Sequence, residues 1–189
     1  MIAGAAQADA GVVVISARKG EFESGFDRSG QTREHILLAK TYPFIHSVIS
    51  FPSYDTLGVK KLVIAVNKMD EETVKWSEAR YNDIVTRLTP YLKSVGYNVQ
   101  RDVSFLPVSG LKSYNLKDPI PDGVCPWYTG PTLFAILDSM DVGNRDASAP
   151  LRLPVLEKYN DRGCTISGKV ESGRLVGFLI RWYHDIGSR

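Results

Sequence analysis

Residues 62–70 read L-V-I-A-V-N-K-M-D, five consecutive apolar side chains followed by an amide, a cation and, after a methionine, a carboxylate. An apolar run with β-branched members predicts a strand covered on both faces, as in a parallel sheet. Open parallel sheets bind their ligands beyond the carboxyl ends of the strands. We therefore expect Asn67, Lys68 and Asp70 to form a polar site at that end.

The N-K-x-D pattern suits guanine. An ionised Asp70 can accept both N–H donors on the pairing edge of guanine, and adenine does not offer that pair of donors. The alkyl stem of Lys68 can lie over the flat face of a purine. Asn67 can either tie the loop together or meet the acceptor edge of the base. A solvated turn after a strand would give the same letters, so the pattern needs support from elsewhere in the chain.

A second apolar segment also ends in small polar residues. Residues 103–108 read V-S-F-L-P-V, and the next three are Ser109, Gly110 and Leu111. The ends of neighbouring parallel strands meet at one edge of a sheet, so we expect the Ser109 side chain and the backbone of the next two residues to lie beside Asp70. The two loops would then form one guanine site.

These two motifs occur together with further matching segments. N-K-M-D and S-G-L, with residues 1–9 and 30–35, resemble the translational GTPases of the elongation factor 1-alpha group. Within that group, three segments are most similar to the eukaryotic class II peptide chain release factor, the GTPase subunit of translation termination. They are residues 16–23, 125–128 and 168–173. The resemblance covers about residues 1–41 and 57–175.

The resemblance implies a fold, a ligand and partners. The fold is α/β, a partial P-loop-GTPase-type parallel sheet with helices on both faces, followed by the first strands of a β-barrel domain. The sheet strands would lie near residues 11–17, 61–67 and 103–109. The ligand would be GTP or GDP, and the partners would be the ribosome and the class I release factor. The guanine-binding residues implied by the resemblance are Asn67, Lys68, Asp70, Ser109, Gly110 and Leu111.

The composition shifts to small and polar residues around residues 141–150, which predicts a domain boundary there, and the resemblance implies what lies on each side. Residues 1–145 are expected to be the C-terminal part of a translational GTPase domain, and residues 146–175 the start of a second, β-barrel domain. The opening strands of that barrel are expected at 151–156 and 164–170. Residues 176–189 do not continue the barrel pattern and form a divergent tail.

Residues 42–56 interrupt the family pattern, which would run from Thr41 to Leu57 without them. Thr56 repeats Thr41, so the segment resembles a clean insertion. Lengthening a loop costs little closure entropy, and the segment need not prevent folding. It is interpreted either as an adapter loop or as a translated intron or gene-model error, and the second interpretation is favoured.

Composition sets wider bounds. The chain has 189 residues, 43% of them apolar, and a net charge of +2 with acids and bases interspersed. There is no large basic stripe, so composition gives no support for direct DNA binding. Two cysteines without metal spacing fit a reducing compartment, and no run suggests a signal peptide or a membrane span. We expect a cytoplasmic protein without membrane contact.

Local patterns place helices around the two motifs. A helix is expected over 31–40, a second after Ser77 as its N-cap, and a third over 131–140. The second has an apolar stripe at three- and four-residue steps: Tyr81, Ile84, Val85, Leu88, Leu92 and Val95. Residues 18–30 are expected to be a loop. Within it, residues 27–30 match the D-x-x-G magnesium-and-phosphate pattern, but no strand precedes them and the match is rejected.

The G-x-x-x-x-G-K-[ST] phosphate loop does not occur among these residues. Without it we expect no cradle of N–H groups for phosphates and no hydroxyl for magnesium, and hence no magnesium site and no catalytic residue in this chain. The start at Met1 resembles a truncation within the family pattern. The chain is therefore expected to be an inactive fragment of a release-factor GTPase. The alternatives are a non-catalytic fragment that docks on the ribosome or a partner, or a relative of elongation factor 1-alpha or the ribosome-rescue GTPases.

Overall fold

The computed structural model describes residues 8–27, 30–41, 59–140, 146–153, 155–160, 164–168, 170 and 172–175. The chain divides into two compact units, Met1–Val142 and Gly143–Arg189. The expected insertion at 42–56 and the expected divergent tail at 176–189 lie outside the described residues.

The first unit is built on a parallel sheet. Its strands are β1 (Ala10–Ser16), β2 (Lys61–Asn67) and β3 (Val103–Pro107), in the spatial order β1-β2-β3. All neighbours run parallel. The apolar residues of the central strand β2 are at most 1% exposed, as the continuous apolar run predicted. The expected positions of the three strands are confirmed.

Helices connect and cover the strands. The structure has α1 (Glu21–Phe26), α2 (Gln31–Thr41), α3 (Glu78–Ser94), α4 (Val99–Asp102) and α5 (Leu133–Ser139). The three expected helices correspond to α2, α3 and α5. Of the helices in the described ranges, none combines the length and apolar character needed to cross a membrane.

The sheet has apolar packing on both faces. On one face, alternate residues of β2 pack against α2 and α3 in one buried cluster that includes Leu62, Ile64, Ile36, Leu88 and Leu92. On the other face, a second cluster contains Val63 and Ala65 of β2 together with Leu106, Val108 and Ile136 of α5. Because successive strand residues point to opposite faces, a single strand contributes to both clusters. The expected α/β architecture with helices on both faces is confirmed.

Helix α3 follows its sequence signals closely. The Ser77 hydroxyl accepts a hydrogen bond from the Arg80 backbone N–H at 3.3 Å, which caps the first turn. Ile84, Leu88 and Leu92 of the apolar stripe are fully buried. Gly96, just beyond the helix, has a φ of +95°, the left-handed conformation that ends helices at little cost to glycine.

Two expectations about local structure were wrong. Residues 18–30 contain helix α1, although a loop was predicted there. The first strand of the second unit is β4 (Val155–Asn160) and not 151–156, and it pairs antiparallel with β5 (Cys164–Gly168). Pro154 lacks the N–H that a strand ladder needs, so a strand that begins just after it is physically reasonable.

Gly30 marks the entry to α2 and has a steric role there. Its N–H donates to the Asp27 carbonyl oxygen at 2.8 Å, and its carbonyl oxygen accepts from the backbone N–H of Arg33 at 3.1 Å. A Cβ on Gly30 would overlap the Gly25 carbonyl oxygen and lie 2.5 Å from the Gly25 carbonyl carbon. A side chain at position 30 therefore forces the backbone to move.

We expect Gly30→Ala to lower the free energy of unfolding by about 2 kcal/mol, because the atom it meets is backbone and cannot rotate away. Urea unfolding followed by circular dichroism measures the effect. Gly25→Ala is the matched control. Gly25 lies inside α1, where alanine is favoured over glycine, and among the described residues its Cβ would meet only the Thr32 hydroxyl, at 3.1 Å. Equal destabilisation by both changes would contradict the steric argument.

Candidate functional site

The loops that follow β2 and β3 are bonded to each other beyond the strand ends. The Val108 N–H donates to the Val66 carbonyl oxygen at 2.8 Å, and the Met69 N–H donates to the Val108 carbonyl oxygen at 3.3 Å. Met69 is fully buried and anchors the middle of the N-K-M-D loop. The parallel pairing of β2 with β3 places these two loops side by side.

Asn67 joins the two loops through its side chain. Its Oδ1 accepts the Gly110 N–H at 2.8 Å and the Lys68 N–H at 2.7 Å. A Cβ on Gly110 would lie 3.4 Å from the Asn67 amide, so the absence of a side chain allows this close approach. Of the two roles considered for Asn67, the loop tie is the one formed in the structure.

Ser109 and Leu111 differ in their surroundings. Ser109 is fully buried, and its Oγ accepts the Lys112 N–H at 3.1 Å. Ser109 and Tyr114 also exchange two backbone hydrogen bonds, of 3.2 and 3.1 Å, which close the loop. The Leu111 side chain is 90% exposed. Ser109 thus stabilises the loop through internal hydrogen bonds, while Leu111 lies at the surface of the loop.

Asp70 and Lys68 are the side chains of the N-K-M-D loop that remain accessible. Asp70 is partly exposed, and no residue in the described part of the chain pairs with its carboxylate. Lys68 has a φ of +62°, a left-handed conformation uncommon for a residue with a side chain. Asp70 can therefore accept two donors from a ligand without first breaking a bond within the described residues.

Asn115 was not identified from the sequence. It is 1% exposed, and its Nδ2 donates to the Pro107 carbonyl oxygen at 2.8 Å. The main-chain carbonyl oxygen of Asn115 accepts the Leu133 N–H at 3.0 Å. Asn115 therefore links the end of β3 to the start of α5. The sequence gives no signal for this role, because the burial of a single polar residue in a loop cannot be read from its identity.

Glu21 was also missed, although it reaches the N-K-M-D loop. Its Oε2 accepts hydrogen bonds from Lys68 Nζ at 2.7 Å and from Ser16 Oγ at 2.7 Å. The hydrogen bond from Lys68, followed by that from Ser16, lowers the pKa of Glu21 to about 2. The carboxylate is therefore ionised throughout the physiological range.

Arg80 holds α1 against α3. Its guanidinium lies 2.8 Å from Glu23 Oε1, and its Nε donates to the Ala17 carbonyl oxygen at 2.9 Å. The hydrogen bond from Arg80 lowers the pKa of Glu23 to about 2. The short helix α1 is thus fixed by contacts that are distant in sequence.

These two pKa shifts predict acid sensitivity. Glu21 and Glu23 have an ordinary pKa of 4.5 in the unfolded chain and of about 2 when folded, so the unfolded state takes up protons first as the pH falls. Their contribution to stability is therefore fully present above about pH 5 and is lost as the pH falls towards 2.

We expect the urea midpoint to decrease between pH 5 and pH 2.5, and to decrease less in a variant that carries both Glu21→Gln and Glu23→Gln. Other carboxylates titrate equally in both proteins, so the difference isolates these two groups. Parallel pH profiles of the two proteins would contradict the assignment.

The chain matches a family model and several known proteins. The model of the elongation factor Tu GTP binding domain matches residues 1–142. The chain is 49% identical over 175 residues to the eukaryotic peptide chain release factor GTP-binding subunit of Kluyveromyces lactis, which covers 93% of this chain and 23% of that protein. The subunit of Schizosaccharomyces pombe is 47% identical over 176 residues, covering 93% of this chain and 24% of that protein.

A solved structure gives the same result. The crystal structure of Sup35 complexed with GDP is 46% identical in sequence, with a TM-score of 0.62, and the match covers 88% of this chain and 38% of that chain. The chain spans about a quarter of the length of the curated relatives it matches. The predicted resemblance is confirmed.

Proposed function

Because this chain belongs to the elongation factor Tu GTP binding domain family, we propose that it carries the guanine-reading part of a translational GTPase of release-factor type that acts in translation termination. The proposal is supported by relatives named as release factor GTP-binding subunits. The activity of those longer proteins is extended to this chain as part of the proposal.

The observation that carries the proposal is the bonded pair of loops with Asp70 left accessible. Asn67 locks the N-K-M-D loop to Gly110 of the S-G-L loop, while the Asp70 carboxylate has no partner among the described residues. An unpaired carboxylate on a fixed loop suits the two adjacent N–H donors of guanine. The alkyl stem of Lys68 supplies an apolar surface for the purine face.

The ligand proposed is GTP or GDP. Asp70 would bind the base edge, Lys68 its face, and Ser109, Gly110 and Leu111 would line the other side, with Asn67 holding the loops. The triphosphate of GTP would supply the bond to be hydrolysed. The residues of this chain recognise the base, and the phosphate-loop pattern is not among them.

The energetics point to weak binding by these residues on their own. About three hydrogen bonds to guanine, each worth roughly 1.5 to 3 kcal/mol where charged, oppose an association cost of about 4 to 15 kcal/mol. We expect a dissociation constant no better than about millimolar. We also expect no GTP hydrolysis by this chain alone.

We propose that the second unit, with its antiparallel pair β4 and β5, begins a β-barrel domain covering residues 146–175. The GTPase part would cover residues 1–145. The ribosome and the class I release factor are the proposed partners, and the cytoplasm is the proposed location.

Ligand-observed NMR with the 189-residue chain tests the proposal. GDP should give saturation transfer that GMP competes away and AMP does not, at millimolar concentrations. Equal transfer to GDP and ADP would overturn guanine recognition. Micromolar GDP binding, or phosphate release from GTP above the blank, would contradict the expected weak binding and inactivity.

A further inference from the structure

A carboxylate at the start of helix α1 reaches the loop that is proposed to read guanine. Glu21 Oε2 accepts from Lys68 Nζ and Ser16 Oγ, both at 2.7 Å. The two strand ends are fixed beside each other, because Ser16 pairs with Asn67 in the sheet and the Ala17 N–H donates to the Asn67 carbonyl oxygen at 2.7 Å. The Glu21–Lys68 contact therefore joins two segments whose backbones are fixed by the sheet.

Two further ion pairs, both made by Arg18, connect the start of α1 to the other end of the same loop. Arg18 contacts Glu21 Oε1 at 3.2 Å and Glu71 Oε1 at 2.9 Å. The Glu71 N–H donates to the Lys68 carbonyl oxygen at 3.2 Å, which closes a ring of contacts around the loop. A single exposed ion pair contributes little, but groups that share partners in a network restrict one another.

The restriction acts on a side chain that is otherwise flexible. Lysine has a long stem with many rotamers, and fixing such a side chain on binding opposes association. Lys68 is 49% exposed, so packing alone does not hold it. A charge-assisted hydrogen bond from its Nζ to a fixed carboxylate selects stem conformations before any ligand arrives.

We propose that Glu21 is a positioning residue for guanine binding: by holding Lys68 Nζ, it fixes the Lys68 stem as one wall of the base site. The inference rests on the proposed function of that site. Glu21 acts through Lys68 and does not itself contact the base. Its role is to reduce the conformational freedom that Lys68 loses on binding.

The test is NMR titration of the 189-residue chain with GDP, following the backbone amides of the two loops. Glu21→Gln should weaken GDP binding roughly two- to tenfold. Glu72→Gln is the matched control, since Glu72 is an exposed carboxylate two residues after Asp70 and pairs with neither Lys68 nor α1 among the described residues. GDP affinity should be unchanged in the control, and an equal loss in both variants would overturn the proposal.

A double-variant cycle separates positioning from a general structural role. In a Lys68→Met background, Glu21→Gln should cause no further loss of GDP affinity, because the ammonium that it holds is gone. A further loss of the same size in that background would show that Glu21 acts on the fold and would overturn the proposal. Unchanged affinity in Glu21→Gln alone would also overturn it.

A wrong binding function and a wrong role for Glu21 give different experimental results. If the unmodified chain shows no preference for GDP over ADP, the proposed function is wrong and the role of Glu21 falls with it. If the unmodified chain prefers GDP but Glu21→Gln binds GDP equally well, only the positioning role is wrong.

Discussion

Replacing Asp70 with asparagine should weaken GDP binding by roughly 10- to 100-fold and create a preference for xanthosine diphosphate. Guanine presents two adjacent N–H donors, which match the two acceptor oxygens of a carboxylate. Xanthine presents one N–H and one carbonyl oxygen at the same edge. An asparagine side chain has one carbonyl acceptor and one amide NH2 donor, which complements xanthine. With guanine, one N–H of the base would face the amide NH2, so two donors would oppose each other.

Ligand-observed NMR measures this change in competition experiments between GDP and xanthosine diphosphate. Glu72→Gln is the matched control. Glu72 is an exposed carboxylate two residues away, so its replacement removes the same charge without changing the donor pattern at position 70. A loss of GDP preference in the control, or xanthosine diphosphate binding no better in Asp70→Asn than in the unmodified chain, would show that Asp70 does not read the base edge.

The sequence predicts the parts of this site that depend on local pattern. A continuous apolar run indicates a buried parallel strand, and the polar letters after it mark the strand end where loops are accessible. The pairing of β2 with β3 then brings two such ends together without any further information. The expected positions of the strands and of α2, α3 and α5 rest on the same kind of short-range signal.

Helix α1 could not be predicted in this way, because its stability comes from distant contacts. Its sequence E-F-E-S-G-F contains an interior glycine and too few residues to form a stable isolated helix. Phe22 is buried in the cluster that also contains Leu62 and Ile64 of β2, and its ring stacks on that of Phe26 with centroids 5.5 Å apart. Arg80, far along the chain, supplies the ion pair to Glu23.

The Glu21–Lys68 contact was missed for a related reason. The two residues are 47 positions apart, and neither letter carries a signal for the other. Only the parallel register, which sets Ser16 beside Asn67, brings the start of α1 close to the loop after β2. Contacts of this kind follow from the fold once it is known, and a single sequence does not specify them.

The outer edge of β1 is the other feature with a large expected effect. Among the described residues, β1 pairs only with β2, so one edge of the strand has no partner there. Val12 and Val14 are 41% and 61% exposed. They pair with Val63 and Ala65, which face α5, but neither valine joins the cluster around that helix. An apolar strand with an unpaired edge favours pairing with another strand.

We expect the 189-residue chain to self-associate through β1 and Val14→Lys to oppose this. Burying the exposed part of Val14 in two copies would contribute about 2 kcal/mol, a factor of about 30 in the dissociation constant. A lysine would remove that contribution and introduce repulsion between the copies. Sedimentation velocity over a range of concentrations measures the change.

Leu37→Lys separates the strand edge from apolar exposure in general. Leu37 is 45% exposed, comparable to Val12, but lies on helix α2, whose backbone groups are bonded within the helix. The same charge placed there should leave self-association unchanged. A soluble monomer with a sharp melting transition in the unmodified chain, or equal suppression by both lysines, would show that the edge of β1 is not what brings copies together.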